Sequence, residues 1–358
     1  MMIIVRTPFR ISFFGGGTDY PAWYETHGGA VLATTINKYC YLTCRYLPPF
    51  FEHRIRVVYS KIENCQTPDE IQHPSVREVL KHLNMDRGLE IHHDGDLPAR
   101  SGIGSSSSFT VGLLHAIYAL KGKLVDKGTL AKASIYSERD VLKETVGSQD
   151  QILAAYGGLN HITFGPGDVT SVKPLTLSRA RAEELNSHLM LFYSGIKRTA
   201  SRIAETYVNG IDSKRPHLQR MLRFVEEGLG VLNGGDILDF GRLLHETWLL
   251  KRELSPEVTN PDVDELYAEA RAAGALGGKL LGAGGGGFIL FFAPPERQQE
   301  IRDRLHRLIY VPFQFDHNGS QIIFHDPRED YSELDLHRVQ HEVKPFRELD
   351  LPSMSKKP

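Results

Sequence analysis

Several stretches of this chain carry residue types that could act together on a phosphate group. Pro98–Ser108 reads PARSGIGSSSS and stands directly ahead of FTVGLLHAIYAL, an apolar, helix-like segment. A helix starting near Ser106 would aim its free N–H groups and positive dipole end at that loop. The glycines would let an anion approach the backbone, and the serine hydroxyls could donate to phosphate or ligate a metal. No GK[ST] follows, so this is not a Walker A loop; the structural alternative is a flexible connector with a serine cap. A second stretch, KLLGAGGGGF, contains a formal GxGxxG in Gly282, Gly284 and Gly287. Dinucleotide binding would need a helix after it, whereas FILFFAP reads as a buried strand. The run is read as a turn needing several positive φ values, with a packing or ligand reason for its consecutive glycines. PFRISFFGGGTDYP is a strand, a tight turn, then Thr18 and Asp19. Glu138 lies on an amphipathic helix and Asp150 within GSQDQ. Taken singly, Asp19 could be a turn cap and Glu138 a solvent-facing side chain.

These residues need a scaffold large enough to hold them. At 358 residues, 41% hydrophobic and 24% charged, the chain can build about two domains around real cores. A net charge of −2 gives no general attraction to nucleic acid or an anionic membrane, so phosphate recognition must be local. Cys40, Cys44 and Cys65 form no CxxC pair and read as buried thiols in a reducing cytoplasm. Arg6 and Arg10 interrupt the apolar N-terminus, and no run reaches the length of a membrane span. A cytoplasmic protein, monomer or homodimer, is expected, without a nucleic-acid or membrane partner. Alternation and β-branching predict a strand over 2–14, with further strands between Ala30 and Tyr59. Helices are expected at about 107–121 and 129–145, then a short one at DQILAAY. After residue 185 the pattern changes to long helices at about 197–209, 215–233 and 236–253, with strands at HLMLFYSG, FILFFAP and QIIFHD. The division expected is an α+β domain over 1–185, a second over 186–325, and a loosely attached charged tail over 326–358.

The order of RISFFGGGTD, then PxxxGxGSSS before a helix, then Glu138 with GSQDQ, then KLLGAGGGG resembles the GHMP kinase superfamily over about residues 2–325. The resemblance implies a ribosomal protein S5 domain 2-like N-terminal domain, a ferredoxin-like C-terminal domain, and ATP with Mg2+ between them. By the same resemblance, Pro98, Gly102, Gly104, Ser105, Ser106 and Ser107 cradle the ATP phosphates, and Gly282, Gly284 and Gly285 belong to the ATP site. Ser106 and Glu138 match the magnesium positions, Asp150 the catalytic aspartate, and Arg10 an arginine beside it. Adenine contacts are expected from the region 55–75, where no residue stands out.

The first motif bears on the substrate. Galactokinases carry Gly-Glu-His-Thr-Asp-Tyr where this chain has Gly15-Gly16-Gly17-Thr18-Asp19-Tyr20. Loss of the Glu and His argues against galactose and opens space at the sugar site, leaving Gly16, Gly17, Thr18 and Asp19 to line it. Together with SGIKRTAS and HETWLLKREL, the motifs look closest to the heptose 7-phosphate kinase group, which phosphorylates an anomeric hydroxyl. A substrate already bearing phosphate needs a cationic pocket. Lys197 and Arg198 are the first candidates, with Ser201 nearby and Lys251, Arg252 and Arg100 behind them; a solvated helix turn is the structural alternative for the first pair. A free-sugar anomeric kinase of fucokinase type and a non-catalytic ligand sensor are the competing functions.

Overall fold

The computed structural model describes residues 1–85, 87–196, 204–206, 208, 210–328, 331, 333, 334, 336 and 337. Strand β1 (Met2–Phe14) alternates buried and half-buried residues up to Arg6 and is buried throughout from Thr7 onward. Alternation marks a sheet with one open face, and continuous burial marks one covered on both. The covered half is the part that enters the site. After α1 (Pro21–His27), β1 pairs antiparallel with β2 (Gly29–Tyr46) along nearly its whole length. β5 (Leu89–Gly95) lies beyond β2, followed by β3 (Ile55–Val58) and β4 (Ile62–Cys65), while β6 (Leu159–Gly165) and β7 (Val169–Pro174) continue from the other end of β2. Helix α2 (Pro74–His82) precedes β5. Helix α3 (Ser105–Leu120) lies across β1 and β2, with α4 (Lys127–Tyr136) and α5 (Gln149–Tyr156) beside it.

Helix α6 (Arg179–Ser187) leads into the second half, a four-stranded antiparallel sheet of order β11-β8-β10-β9. Its strands are β8 (Leu189–Tyr193), β9 (Gly277–Leu280), β10 (Phe288–Phe292) and β11 (Ile309–Tyr310). The helices of this half are α7 (Arg215–Leu232), α8 (Ile237–Arg252), α9 (Pro261–Ala272) and α10 (Gln298–Arg304). The two-domain α+β architecture matches the expectation from sequence.

Two details differ. β12 (Phe315–Asp316) and β13 (Gln321–Asp326), assigned by sequence to the end of the second domain, pair instead with β2 and β1 of the first sheet. This return covers the otherwise open edge of β1, whose N–H and C=O groups would lack partners. The helix expected over 129–145 ends earlier: a π-helical turn over Ser137–Val141 follows α4, and Lys143 adopts a positive φ of 58°. Such a turn inserts a residue and re-aims side chains, often at functional sites; here it carries Glu138 inward. The tail and the helix expected over 197–209 fall largely outside the described residues.

The two sheets share one apolar core. Phe240 of α8 sits edge-on to Phe13 and Phe14 of β1, at 5.2 and 4.9 Å between ring centres, and 6.1 Å from Phe292 of β10. Phe240 is fully buried, so Phe240→Ala leaves a cavity between the halves. It is expected to destabilise the protein by about 3–5 kcal/mol, read as a lower urea midpoint.

Candidate active site

Arg10, on the buried half of β1, meets Asp150, in the first turn of α5, through two parallel hydrogen bonds. Nε donates to Oδ1 at 2.7 Å and Nη2 to Oδ2 at 2.7 Å. The remaining Nη1 donates to the Gly102 carbonyl at 2.6 Å, and the Arg10 N–H donates to Ile103 O at 3.0 Å. Only a planar guanidinium can hold a carboxylate bidentately and still reach a third acceptor. The Gly104 Cα is close enough that an added Cβ would lie 3.1 Å from Arg10 Cγ and 3.4 Å from Asp150 Oδ2. The serine-rich loop and the Arg10–Asp150 pair are therefore neighbours.

Gly104, at φ 73°, caps the N-terminus of α3 without any side-chain hydrogen bond to the first turn, which leaves that turn's N–H groups for an anion. Ser101 Oγ donates to Pro98 O, and Ser105 Oγ accepts from Arg100 N, so these two hydroxyls shape the loop itself. The glycine-rich turn between β9 and β10 packs directly on this loop. Phe288 N donates to Ser101 O at 3.0 Å, and a Cβ on Gly282 or Gly287 would lie 2.6 Å from Gly102 Cα or 2.2 Å from Ser101 O. Gly284 and Gly285 instead lie against Val258, whose carbonyl accepts from Gly285 N. What the glycines provide is an approach of backbone to backbone that no side chain permits. In the region expected to meet adenine, His73 stacks on Phe109 at 4.8 Å, with Tyr59 and His93 edge-on to these rings.

Glu138 is completely buried. Its Oε2 accepts from Ser107 Oγ at 2.9 Å and from Gln151 Nε2, while Oε1 has no partner. The neighbour of Glu138 is thus Ser107, whereas Ser106 is exposed at the loop mouth. A buried carboxylate oxygen without a partner, beside serine hydroxyls, is an oxygen donor set of the kind a hard divalent cation takes. These residues fit Mg2+. Among the described residues no cluster of His, Cys, Asp and Glu makes a larger metal site.

Asp19 is buried beneath the same pair. Its Oδ1 accepts from Gly17 N at 3.0 Å and its Oδ2 from Gln149 Nε2 at 2.9 Å. Burial, then the charge of Asp150, pushes its carboxyl above the ordinary range. Gly147 must be glycine, because a Cβ there would lie 2.0 Å from Asp19 Oδ2. Thr18 does not face the cleft: its hydroxyl donates to Gly15 O and Ala30 O and holds the turn together. Gly16 and Gly17 differ. A Cβ on Gly17 would press on Leu218, whereas one on Gly16 would make only ordinary van der Waals contacts with Ser12 and Gln149. Of the cationic candidates, Lys197 and Arg198, with Ser201, lie outside the described residues. Lys251 is buried and donates to Leu280 O and Gly282 O, beneath the glycine turn. Arg252 is paired with Asp264 at 3.0 Å, and Arg100 is exposed at φ 59°.

Sequence reasoning passed over Lys279, which is buried on β9 and donates to Phe13 O at 2.9 Å. Burial, then Arg10, lowers its ammonium to about 7. The glutamines flanking Asp150 were also passed over; GSQDQ offered their signal, since amides beside a buried carboxylate can orient it. Burial raises Glu138 from 4.5 to about 7. A carboxyl raised on folding takes up a proton between those values, so its burial costs stability as pH rises through that window. Glu138→Gln cannot ionise and escapes the cost. Urea unfolding at about pH 5 and about pH 8 should show the variant gaining on wild type at the higher pH.

Comparison with known proteins accords with this geometry. Residues 73–158 match the GHMP kinases N terminal domain, and residues 222–310 match the GHMP kinases C terminal domain. The D-glycero-alpha-D-manno-heptose 7-phosphate kinase of Campylobacter jejuni is 28% identical over 294 residues, covering 79% of this chain and 86% of the relative. The bifunctional fucokinase/GDP-fucose pyrophosphorylase of Arabidopsis thaliana is 26% identical, and the match takes in 84% of this chain but 31% of that longer protein. The crystal structure of a D-glycero-D-manno-heptose 1-phosphate kinase from Bacteroides thetaiotaomicron superposes with a TM-score of 0.73 at 24% identity, over 91% of this chain and 100% of that one. With both domain families matched in order, and with the glycine–serine loop set against an arginine–aspartate pair, the chain belongs to the GHMP kinases, ATP-dependent phosphotransferases with a hydroxyl group as acceptor.

Proposed function

We propose that this sugar kinase of the GHMP family transfers the γ-phosphoryl group of ATP to the anomeric hydroxyl of D-glycero-D-manno-heptose 7-phosphate, giving the 1,7-bisphosphate on a route to nucleotide-activated heptose. The observation that carries the reading is the Arg10–Asp150 pair, with both bonds at 2.7 Å, against the Gly104 end of the glycine–serine loop. The 28% identical heptose 7-phosphate kinase supports the choice of sugar, and buried free thiols at Cys40, Cys44 and Cys65 fit a reducing cytoplasm.

In this reading Asp150 accepts a hydrogen bond from the sugar hydroxyl and takes its proton as the oxygen attacks the γ-phosphorus. The new O–P bond forms as the bond to the bridging oxygen breaks, and ADP leaves. Arg10 orients Asp150 and lends positive charge to the transferring group. The first-turn N–H groups of α3, with Gly102, Gly104 and Ser105–Ser107, hold the phosphates. Glu138 with Ser106 or Ser107 would hold Mg2+, which supplies charge neutralisation on the β/γ oxygens. Lys197 and Arg198 would meet the phosphate that the sugar already carries.

A free-sugar anomeric kinase is the second reading, favoured by the fucokinase relative and by the glycines at the Glu and His positions of galactokinases. ADP release with heptose 7-phosphate, fucose and other free hexoses separates the two. Turnover of the heptose phosphate alone is expected, and activity confined to an unphosphorylated sugar would overturn the assignment. Asp150→Asn should lower turnover by a factor of about 10² to 10⁴ while nucleotide binding persists; near-normal turnover would remove Asp150 from the chemistry.

A further inference from the structure

Beside the Gly15–Gly17 turn, two buried polar atoms have no hydrogen-bond partner: Ser12 Oγ and Gln149 Oε1. Ser12 is on the buried half of β1 and Gln149 opens α5, immediately before Asp150. Both side chains border one spot. A Cβ on Gly16 would lie 3.8 Å from Ser12 Oγ and 3.9 Å from Gln149 Nε2, with no other non-neighbouring atom within 4 Å. Gly16 is not among the residues with positive φ, so its backbone does not require a glycine. The missing side chain leaves room instead.

The orientation of the amide follows from chemistry. Gln149 Nε2 lies 2.9 Å from Asp19 Oδ2, an acceptor, so the NH2 end faces Asp19 and Oε1 is the free acceptor. Ser12 contributes a hydroxyl that can donate or accept. Leaving buried polar groups unpaired is costly, and two on side chains that both border the Gly16 position suit a ligand group that supplies both missing bonds. A hydroxyl does this, donating its hydrogen to Gln149 Oε1 and accepting from Ser12 Oγ. A methyl or a carboxylate would leave at least one of the two unserved.

We infer that Ser12 and Gln149 are specificity-determining residues that bind the hydroxyl next to the one phosphorylated, so that the acceptor is a polyol with vicinal hydroxyls. Consecutive positions on one helical turn hold Gln149 and Asp150 in fixed relation, which ties the group that is read to the group that reacts. The inference rests on the sugar-kinase reading; under transfer to O1 the hydroxyl that is read is O2.

The test uses ADP release by the full chain, with the sugar that wild type uses best and with its 2-deoxy analogue. Wild type should prefer the parent sugar by about 100-fold in kcat/KM. Ser12→Ala and Gln149→Met should each lower kcat/KM for the parent sugar by about 10- to 100-fold, mainly through KM. The KM for ATP should be unchanged, and the preference over the deoxy analogue should shrink toward unity. Gly16→Ala, whose methyl has room in the free protein, should keep its thermal midpoint and raise the KM for the parent sugar. Equal losses for both sugars would assign these residues a structural role and overturn the inference. If a free sugar proves to be the substrate, the heptose assignment falls, and the same comparison with that sugar and its deoxy form decides the roles of Ser12 and Gln149. Failure to phosphorylate any sugar overturns both.

Discussion

One cation ties three pieces of backbone together. The Arg10 guanidinium spends two nitrogens on the Asp150 carboxylate and one on the Gly102 carbonyl, joining β1, α5 and the glycine–serine loop. Its side chain is 7% exposed and that of Asp150 23%, so neither charge is well solvated and each depends on the other. Breaking a buried pair from one side strands the remaining charge, which costs far more than the pair itself contributes. The geometry of the Asp150 carboxylate is thus locked by the same contact that sets the height of the Gly102–Gly104 loop over it. A lysine at position 10 could satisfy the charge, though not the fork.

The second domain reaches this centre through backbone rather than through side chains. Gly282 and Gly287 let the β9–β10 turn lie against Ser101 and Gly102 at separations that exclude any Cβ. Beneath the turn, Lys251 donates to Leu280 O and Gly282 O, and Lys279 crosses to Phe13 O. Burial lowers both ammonium groups, Lys251 well below its ordinary value and Lys279 to about 7. Carbonyl dipoles offset part of that desolvation. The charge of Asp19 counters part of that lowering in both lysines.

Desolvation also acts on the acids buried around the site. Glu138, sealed between α3 and the π-helical turn, is raised to about 7. Asp19 is raised as well, by burial and by Asp150, although Gly17 N and Gln149 counter the effect.

Much of this was legible in the amino-acid order because it depends on local conformation. A glycine–serine loop before an apolar helix, a strand ending in GGGTD, and a glycine run between strands each declare themselves through φ preferences and periodicity. The motif order carried Arg10, Asp150 and Glu138 to the site. Tertiary structure decided the rest. Along SSSS, successive side chains turn by about 100° around the helix axis, so only the docking of α3 on its neighbours selects Ser107 to face Glu138 and leaves Ser106 at the surface. The Thr18 hydroxyl goes to backbone carbonyls, and β12 and β13 return to the first sheet. Ser12 and Gln149 lack partners only because β1 and α5 meet across the Gly16 space. Sequence fixes conformation residue by residue, but which atoms are left without a partner is a property of surfaces brought together from distant parts of the chain.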